Sequence, residues 1–266
     1  MTLTSSNYFS TEANRAYWSA SQFKAFSNCE AEGLAQVLGV DRNGDPYERE
    51  MTDSLLIGSY VDAYFSGELD EFIKVHGDKM FTKKGELYAK FAQANDIIDR
   101  IESDKLMMEY LKGKKQVIRT AKFSGVEWKA KFDVLTDERI VDLKIVKDFG
   151  SVYKDGFGYR PWIEAWGYDI QGAIYQRVEM LSSGRDEPLP FFLVAATKER
   201  VPDIAVIQIP QHILDAAMQI VDAKIDRFDL IKTGELRPKR CEVCNYCKLT
   251  KVLTEPSVYE IEEAKA

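Results

Sequence analysis

Residues 126–144, VEWKAKFDVLTDERIVDLK, constrain the fold more than any other stretch of this chain. Residues 126–135 alternate apolar with polar and carry Asp133 near their end. Residues 136–139 are polar, and residues 140–145 are apolar except for Asp142 and Lys144. Two strand-length runs across a short polar connection predict adjacent antiparallel strands. Residues two apart on a strand share a face, so Asp142 and Lys144 point the same way. A carboxylate and an ammonium inside such a run are costly to bury unless something uses them. Two carboxylates brought together raise each other's pKa, and a divalent cation is their natural neutraliser. Magnesium or manganese suits carboxylate, carbonyl and water oxygens. A lysine beside such an ion can position or deprotonate water.

Asp133 followed by Asp142-Leu143-Lys144 resembles the signature of the PD-(D/E)xK nuclease superfamily, with Phe132 where the motif's name has proline. D-x-K by itself is common, and a surface hairpin with an incidental ion pair would show it too. The rest of the chain separates these readings.

A length of 266 residues permits one large domain or two small ones, stable without disulfides. With 45% apolar and 30% charged residues, the composition is that of a soluble globular protein. No apolar run reaches membrane-spanning length, and residues 1–17 lack the apolar core of a signal peptide, so the expected location is the cytoplasm. The net charge of −7 argues against diffuse, charge-driven binding to nucleic acid but allows a local basic groove. With only two histidines, His76 and His212, a catalytic triad or a histidine-rich zinc centre is not expected.

Residues 1–17 read as a loose polar segment. Ser19 and Gln22 fit a capping box, after which Phe23, Phe26, Leu34 and Val37 give one helical apolar face ended by Gly39. Cys29 lies within it and by itself reads as a small buried residue. Residues 41–50 read as a loop. Leu55, Leu56, Tyr60, Ala63 and Tyr64 form a second helical stripe with Gly67 as C-cap, and Gly58 would weaken that helix unless something packs on it. Asp62, on this helix, reads equally well as solvated surface. Lys83, Lys84 and Glu86 read as charged loop. Residues 87–112 predict one or two amphipathic helices with Ile97, Ile98, Ile101, Met107 and Leu111 inward, and residues 116–123 predict a strand. Residues 150–160 form a Gly/Tyr-rich connection suited to substrate contact. After Pro161 a single helix is expected, with Trp162, Trp166, Ile170, Ile174 and Val178 at spacings of four and Gly184 as its stop. Gln171 and Tyr175 each lie one residue beyond that stripe, at the edge of the face packed on the sheet. Strands over 190–197 and 204–209 precede a helix over 212–232 that turns Ile213, Ala217, Ile220, Lys224 and Phe228 inward.

Cys241, Cys244 and Cys247 form C-x2-C-x2-C. In a reducing compartment such a cluster reads as metal ligands rather than disulfides. Cys29 is the one remaining thiol and closes a set of four. Zinc sites usually come as two separated C-x2-C pairs, whereas successive C-x2-C steps resemble the loop around a cubane cluster. The layout is similar to iron–sulfur nucleases of the AddB and Cas4 kind, although their late triplet is usually C-x2-C-x5-C. That resemblance implies a 4Fe–4S cluster on Cys29, Cys241, Cys244 and Cys247, with zinc as the alternative. Lys239, Arg240, Lys248 and Lys251 flank the triplet within reach of phosphate. The acidic tail, 255–266, reads as disordered.

From Ser19 to Lys251 the chain resembles phage RecE-like and RecB-type members of the superfamily. The resemblance implies an α/β, restriction-endonuclease-like core: a mixed central sheet of about five strands flanked by helices. It implies one nuclease domain over 1–266, with a helical part at 18–112, the catalytic sheet at 116–210 and a C-terminal helix and cysteine segment at 211–251. The implied activity is magnesium-dependent exonucleolytic resection of linear double-stranded DNA, 5′ to 3′, handing a single strand to an annealing protein in recombination. A phage or prophage origin and a ring-shaped homo-oligomer belong to the same picture. The alternatives are a Cas4-like or structure-specific endonuclease and a non-catalytic, metal-stabilised DNA-binding module. By the same resemblance Asp133, Asp142 and the Leu143 carbonyl hold metal and Lys144 activates water. Asp62 is a further ligand, standing where RecB types carry a histidine four residues after a glycine. Gln171 and Tyr175 match a Gln-x-x-x-Tyr pair that helps hold the scissile phosphate and water. Ser19, Ser21 and Lys24 match a Ser-x-Ser-x-x-Lys/Arg stretch that lies close to the DNA end.

Overall fold

The structure, a computed structural model, describes residues 1–47, 51–154 and 158–256. The end of the 41–50 loop, the middle of the 150–160 connection and the tail beyond 256 lie outside the described residues.

Three short helices open the chain: α1 (Thr11–Ala16), α2 (Ala20–Asn28) and α3 (Glu30–Leu38). The single helix expected after Ser19 is interrupted at Cys29, whose extended backbone (φ −159°) ends α2 and starts α3. A Cβ at Gly33 would sit 2.8 Å from the Phe26 nitrogen, so glycine is what lets α3 approach α2. The Ser19 hydroxyl accepts the Gln22 N–H, the first half of the capping box. The second half is not made: the Gln22 amide donates to Asn14 and accepts from Lys232 instead.

Next come α4 (Asp53–Ser66), α5 (Leu69–Met80), a 3-10 turn at Ala89–Phe91, α6 (Gln93–Glu102) and α7 (Lys105–Tyr110). On α4 the buried residues are Leu56, Ile57, Tyr60, Val61 and Ala63, while Leu55 and Tyr64 are exposed, so the inward face is rotated from the expected stripe. Gly58 faces Ile145 at ordinary contact distance, which supplies the packing that its place in a helix asks for.

The strands are β1 (Lys114–Phe123), β2 (Val126–Leu135), β3 (Ile140–Val146), a small hairpin of β4 (Val152–Lys154) and β5 (Gly158–Arg160), β6 (Phe191–Thr197) and β7 (Ile204–Gln208). Between β5 and β6 lie α8 (Trp162–Ala165) and α9 (Tyr168–Ser183); α10 (Gln211–Lys232) and α11 (Asn245–Leu249) follow β7. The long helix expected after Pro161 is therefore two helices. Gly167, left-handed at φ 63°, separates them and leaves Trp166 exposed. On α10 the buried face runs through Leu214, Ala217, Met218, Val221, Ile225 and Phe228, with Ile220 outside it.

The main sheet has the order β1-β2-β3-β6-β7. β3 and β6 are parallel, joined by the crossover that contains α9, and the other neighbours are antiparallel. Alternation sends Ile140, Phe191, Leu193 and Ala195 to one face, under α2, α9 and α10. Val141, Leu143, Val194 and Ala196 go to the other, under α4 and α6. This mixed five-stranded sheet flanked by helices is the fold expected from the sequence. Among the described residues no helix is long and apolar enough to cross a membrane.

Residues 1–17 differ from expectation. Tyr8 is buried, Ser10 caps α1, and Trp18 extends the sheet by exchanging hydrogen bonds with β2: its N–H donates to Glu127 O (2.8 Å) and its carbonyl accepts from Lys129 N (2.7 Å). The buried Lys129 ammonium reaches back to the Tyr8 carbonyl and to Asn14 Oδ1, so a charge inside the protein holds this segment down.

Candidate active site

The site is built where two neighbouring strands part. β2 and β3 pair only at Val134–Val141 and Leu135–Ile140, and beyond these pairs the strands diverge. Asp133 stands at the fork and its Oδ2 accepts the Leu143 N–H at 2.9 Å, a bond the ladder no longer provides. On the other side of β2 the pairing with β1 is interrupted opposite Asp133. There Gln116 takes a left-handed backbone (φ 51°) between the pairs Lys115–Val134 and Val117–Phe132. The fork opens into a cleft of about 840 Å³ whose walls include Asp62, Asp133, Asp142, Lys144, Gln171 and Tyr175.

These groups hold one another. Asp142 is buried, and its Oδ1 accepts from Gln171 Nε2 at 2.7 Å. Gln171 Oε1 in turn accepts from Lys24 Nζ at 3.0 Å, which fixes the orientation of the amide. The Lys144 ammonium lies 2.5 Å from Asp142 Oδ2 and donates to the Leu143 carbonyl. Lys24 and Lys144 both lie over the Tyr168 ring, at 5.3 and 5.5 Å from its centre. The Tyr175 hydroxyl donates to the Lys131 carbonyl at 3.1 Å, and the Lys131 ammonium pairs with Glu68. Ser19 and Ser21 line the same cleft, their hydroxyls 3.0 Å apart.

The electrostatics are those of charges crowded out of water. Burial, followed by the charges of Asp142 and Asp62, pushes Asp133 well above the usual carboxylate range. Burial raises Asp62 as well, against the opposing pull of Lys144 and with a further push from Asp142. Burial works against the Lys144 cation, but Asp142 and Asp133 outweigh it and hold its pKa above the ordinary lysine value. Burial keeps Tyr175 a neutral phenol and therefore a donor. Asp142 Oδ2 has the Lys144 charge beside it but no hydrogen bond of proper direction. A buried carboxylate oxygen without a hydrogen bond, beside Asp133 and Asp62 whose pKa values are raised by burial and then by neighbouring carboxylates, fits a hard divalent cation. Asp133, Asp142 and the Leu143 carbonyl are the groups at the fork that could hold one, with Asp62 on the facing helix.

Two cleft residues carried no sequence signal. Tyr8 sat in a segment that read as loose, and Gln116 read as one polar position of an ordinary strand. Gln116 Nε2 is buried at the cleft without a hydrogen-bond partner.

The four cysteines are gathered elsewhere. All four sulfurs lie within 4.8 Å of one another, and among the described residues no other set of three or more metal-ligating side chains is gathered so closely. Cys29 and Cys247 are buried beneath Tyr246, Ala31 and Ala35, and Tyr47 packs against the same cluster. Of the flanking cations, Arg240 is committed to Glu242, Thr250 and the Cys247 carbonyl.

Residues 19–250 match the model of a family described as a PDDEXK-like domain of unknown function. The chain belongs to this PDDEXK-like family. A crystal structure of a candidate exonuclease from Eubacterium rectale is 42% identical over 97% of both chains, with a TM-score of 0.88. No curated protein matches the sequence. The PDDEXK-like domain and the likeness to the Eubacterium rectale structure make this protein a nuclease, and Asp133, Asp142 and Lys144 face one cleft.

Proposed function

We propose that this PDDEXK-like nuclease is a divalent-metal-dependent DNA exonuclease that resects linear double-stranded DNA from its ends. The carrying observation is the fork itself, where Asp133 and Asp142 share one cleft with the Lys144 ammonium. The likeness to the Eubacterium rectale protein supports the exonuclease reading over an endonuclease of Cas4-like or structure-specific type. Resection in the 5′-to-3′ direction and delivery of the strand to an annealing protein belong to this proposal.

Asp133, Asp142 and the Leu143 carbonyl would hold magnesium or manganese, with Asp62 as a further ligand. Bound there, the ion supplies positive charge to the attacking and leaving oxygens. The chain's own residues do the rest. Gln171 orients Asp142, and Lys24 orients Gln171. Lys144 places a cation against the same carboxylate, where it can hold the attacking water. Tyr175, kept neutral, fixes the β2 backbone beside Phe132 and Asp133 through the Lys131 carbonyl.

The test uses end-labelled linear duplex and covalently closed circles with magnesium. Linear DNA is expected to be degraded and closed circles to resist. Nicking of circles at a comparable rate would move the assignment to an endonuclease. Asp142→Asn and Lys144→Ala should each lower the rate by at least about 100-fold while the fold and DNA binding persist. Appreciable turnover by both variants would remove these residues from the chemistry.

A further inference from the structure

The thiol cluster carries a geometric statement about what it binds. Cys29 Sγ lies 3.6 Å from Cys247 Sγ, Cys241 Sγ lies 3.9 Å from Cys247 Sγ, and no pair of the four exceeds 4.8 Å. These separations are far longer than a disulfide bond, about 2.0 Å, and all four cysteines are free. Four sulfurs around one zinc ion at about 2.3 Å stand about 3.8 Å apart along the edges of a tetrahedron. Four sulfurs around a cubane stand farther apart, because each lies outside its own iron instead of sharing one. The observed spacing is that of the single ion. Sulfurs this close suit the single ion better than the four-iron cluster implied by the cysteine layout.

The surroundings agree. The Cys244 N–H donates to Cys241 Sγ at 3.3 Å and the Cys247 N–H donates to Cys244 Sγ at 3.4 Å. Backbone amides aimed at sulfur stabilise thiolate and set its direction, as the outer shell of a metal site does. Glu242 takes a left-handed backbone (φ 62°) to make the tight turn between the first two ligands. Apolar side chains cover the buried sulfurs. Phosphodiester hydrolysis transfers no electron, so nothing in the reaction asks this centre for a redox metal.

We infer that Cys29, Cys241, Cys244 and Cys247 hold one tetrahedral zinc ion that braces the helix leading into the nuclease cleft. Cys29 is the residue at which α2 ends, and α2 carries Ser19 at its start and Lys24 in its middle. Lys24 holds Gln171, and Gln171 holds Asp142. Around the same junction Glu30 makes a two-toothed ion pair with Arg227 of α10 (2.8 and 2.9 Å) and accepts the Lys239 N–H. The ion therefore ties the last segment of the chain to the helix that orients a proposed metal ligand. The bracing half of this inference rests on the nuclease site proposed above; the metal assignment does not.

Metal analysis of the purified full chain decides the ion without a nuclease assay. One zinc per chain in colourless protein is expected, and cobalt in its place should give the strong visible bands of a tetrahedral tetrathiolate site. Iron, with or without acid-labile sulfide, would overturn the zinc assignment. Metal-free folded protein with four freely alkylated thiols would overturn the site itself. Cys29→Ser and Cys244→Ser should each lose the metal; if either fails to fold, zinc release from the wild type by a mercurial reports the same four thiols. The brace is read by hydrogen exchange. On zinc removal the amides of α2 should exchange at least several-fold faster while those of β6 stay protected. Unchanged α2 exchange in zinc-free protein would reject the brace and leave both the metal site and the nuclease reading standing.

Discussion

At the scale of single residues, one point of backbone strain sits at the cleft. Gln116 is one of three non-glycine residues with positive φ among the described residues, and it lies directly opposite Asp133. A left-handed backbone costs an L-residue about 1 kcal/mol, and such strain collects where function holds it in place. Gln116 also brings a buried amide nitrogen without a partner to the cleft wall. Gln116→Gly is therefore expected to raise the unfolding free energy by up to about 1 kcal/mol and to lower cleavage. Denaturant unfolding together with initial rates checks both signs. A variant that is less stable and fully active would show that neither the strain nor the amide matters. Asp133 was legible through its spacing to Asp142-Leu143-Lys144, which resembles the superfamily signature. Gln116 was not, because a one-residue backbone excursion leaves the period of a strand unchanged.

At the scale of elements, close packing decided what periodicity left open. Gly172 lies in the middle of α9, where a glycine costs helix stability without a reason. The reason is the sheet: a Cβ there would come within 2.7 Å of the Phe191 ring and 2.8 Å of Leu214. Gly172→Ala should push α9 off β6 and cost about 1–3 kcal/mol. Since α9 carries Gln171, the same change should depress cleavage more than it weakens DNA binding. Thermal unfolding and a comparison of kcat with Kd measure the two effects; unchanged stability would mean that α9 can shift freely. The breaks at Cys29 and Gly167 belong to this scale too. Neither is a strong stop signal in sequence, and both occur where the chain must turn to keep packing on the core.

At the scale of the whole molecule, buried Lys129 and half-buried Lys232 tie the N-terminal segment to the sheet and α10. Lys232 donates to the Tyr17 carbonyl and Gln22 Oε1 and lies 4.4 Å from the Trp18 ring centre. Burial pushes its pKa down from 10.5 to about 7, with Asp229 opposing. The unfolded chain then binds a proton that the folded chain lacks between about pH 7 and 10.5, so this group makes stability rise with pH across that window. Below about 7 both states are charged, and its contribution is constant and unfavourable. The slope is at most about 1.4 kcal/mol per pH unit. Lys232→Met should remove it, so the stability difference between wild type and variant should change in favour of the wild type from pH 7 to 9.5. Urea unfolding at several pH values gives that difference, and a flat one would sink the idea.

The apolar runs and turn residues placed the strands and set Asp142 and Lys144 on one strand face, because strand alternation is a local property with a period of two; the mixed sheet and the catalytic pattern were what the resemblance to the nuclease superfamily implied. The closed count of four thiols likewise pointed to one metal centre before any fold was known. Tertiary structure alone decided how those parts meet. It opened the β2–β3 fork, converted residues 1–17 from a loose segment into a wall of the cleft, and gathered Cys29 with the three late cysteines within 4.8 Å. Each of these depends on distances between residues far apart in the chain. Such distances follow from how helices, strands and buried charges pack together, and no local periodicity records them.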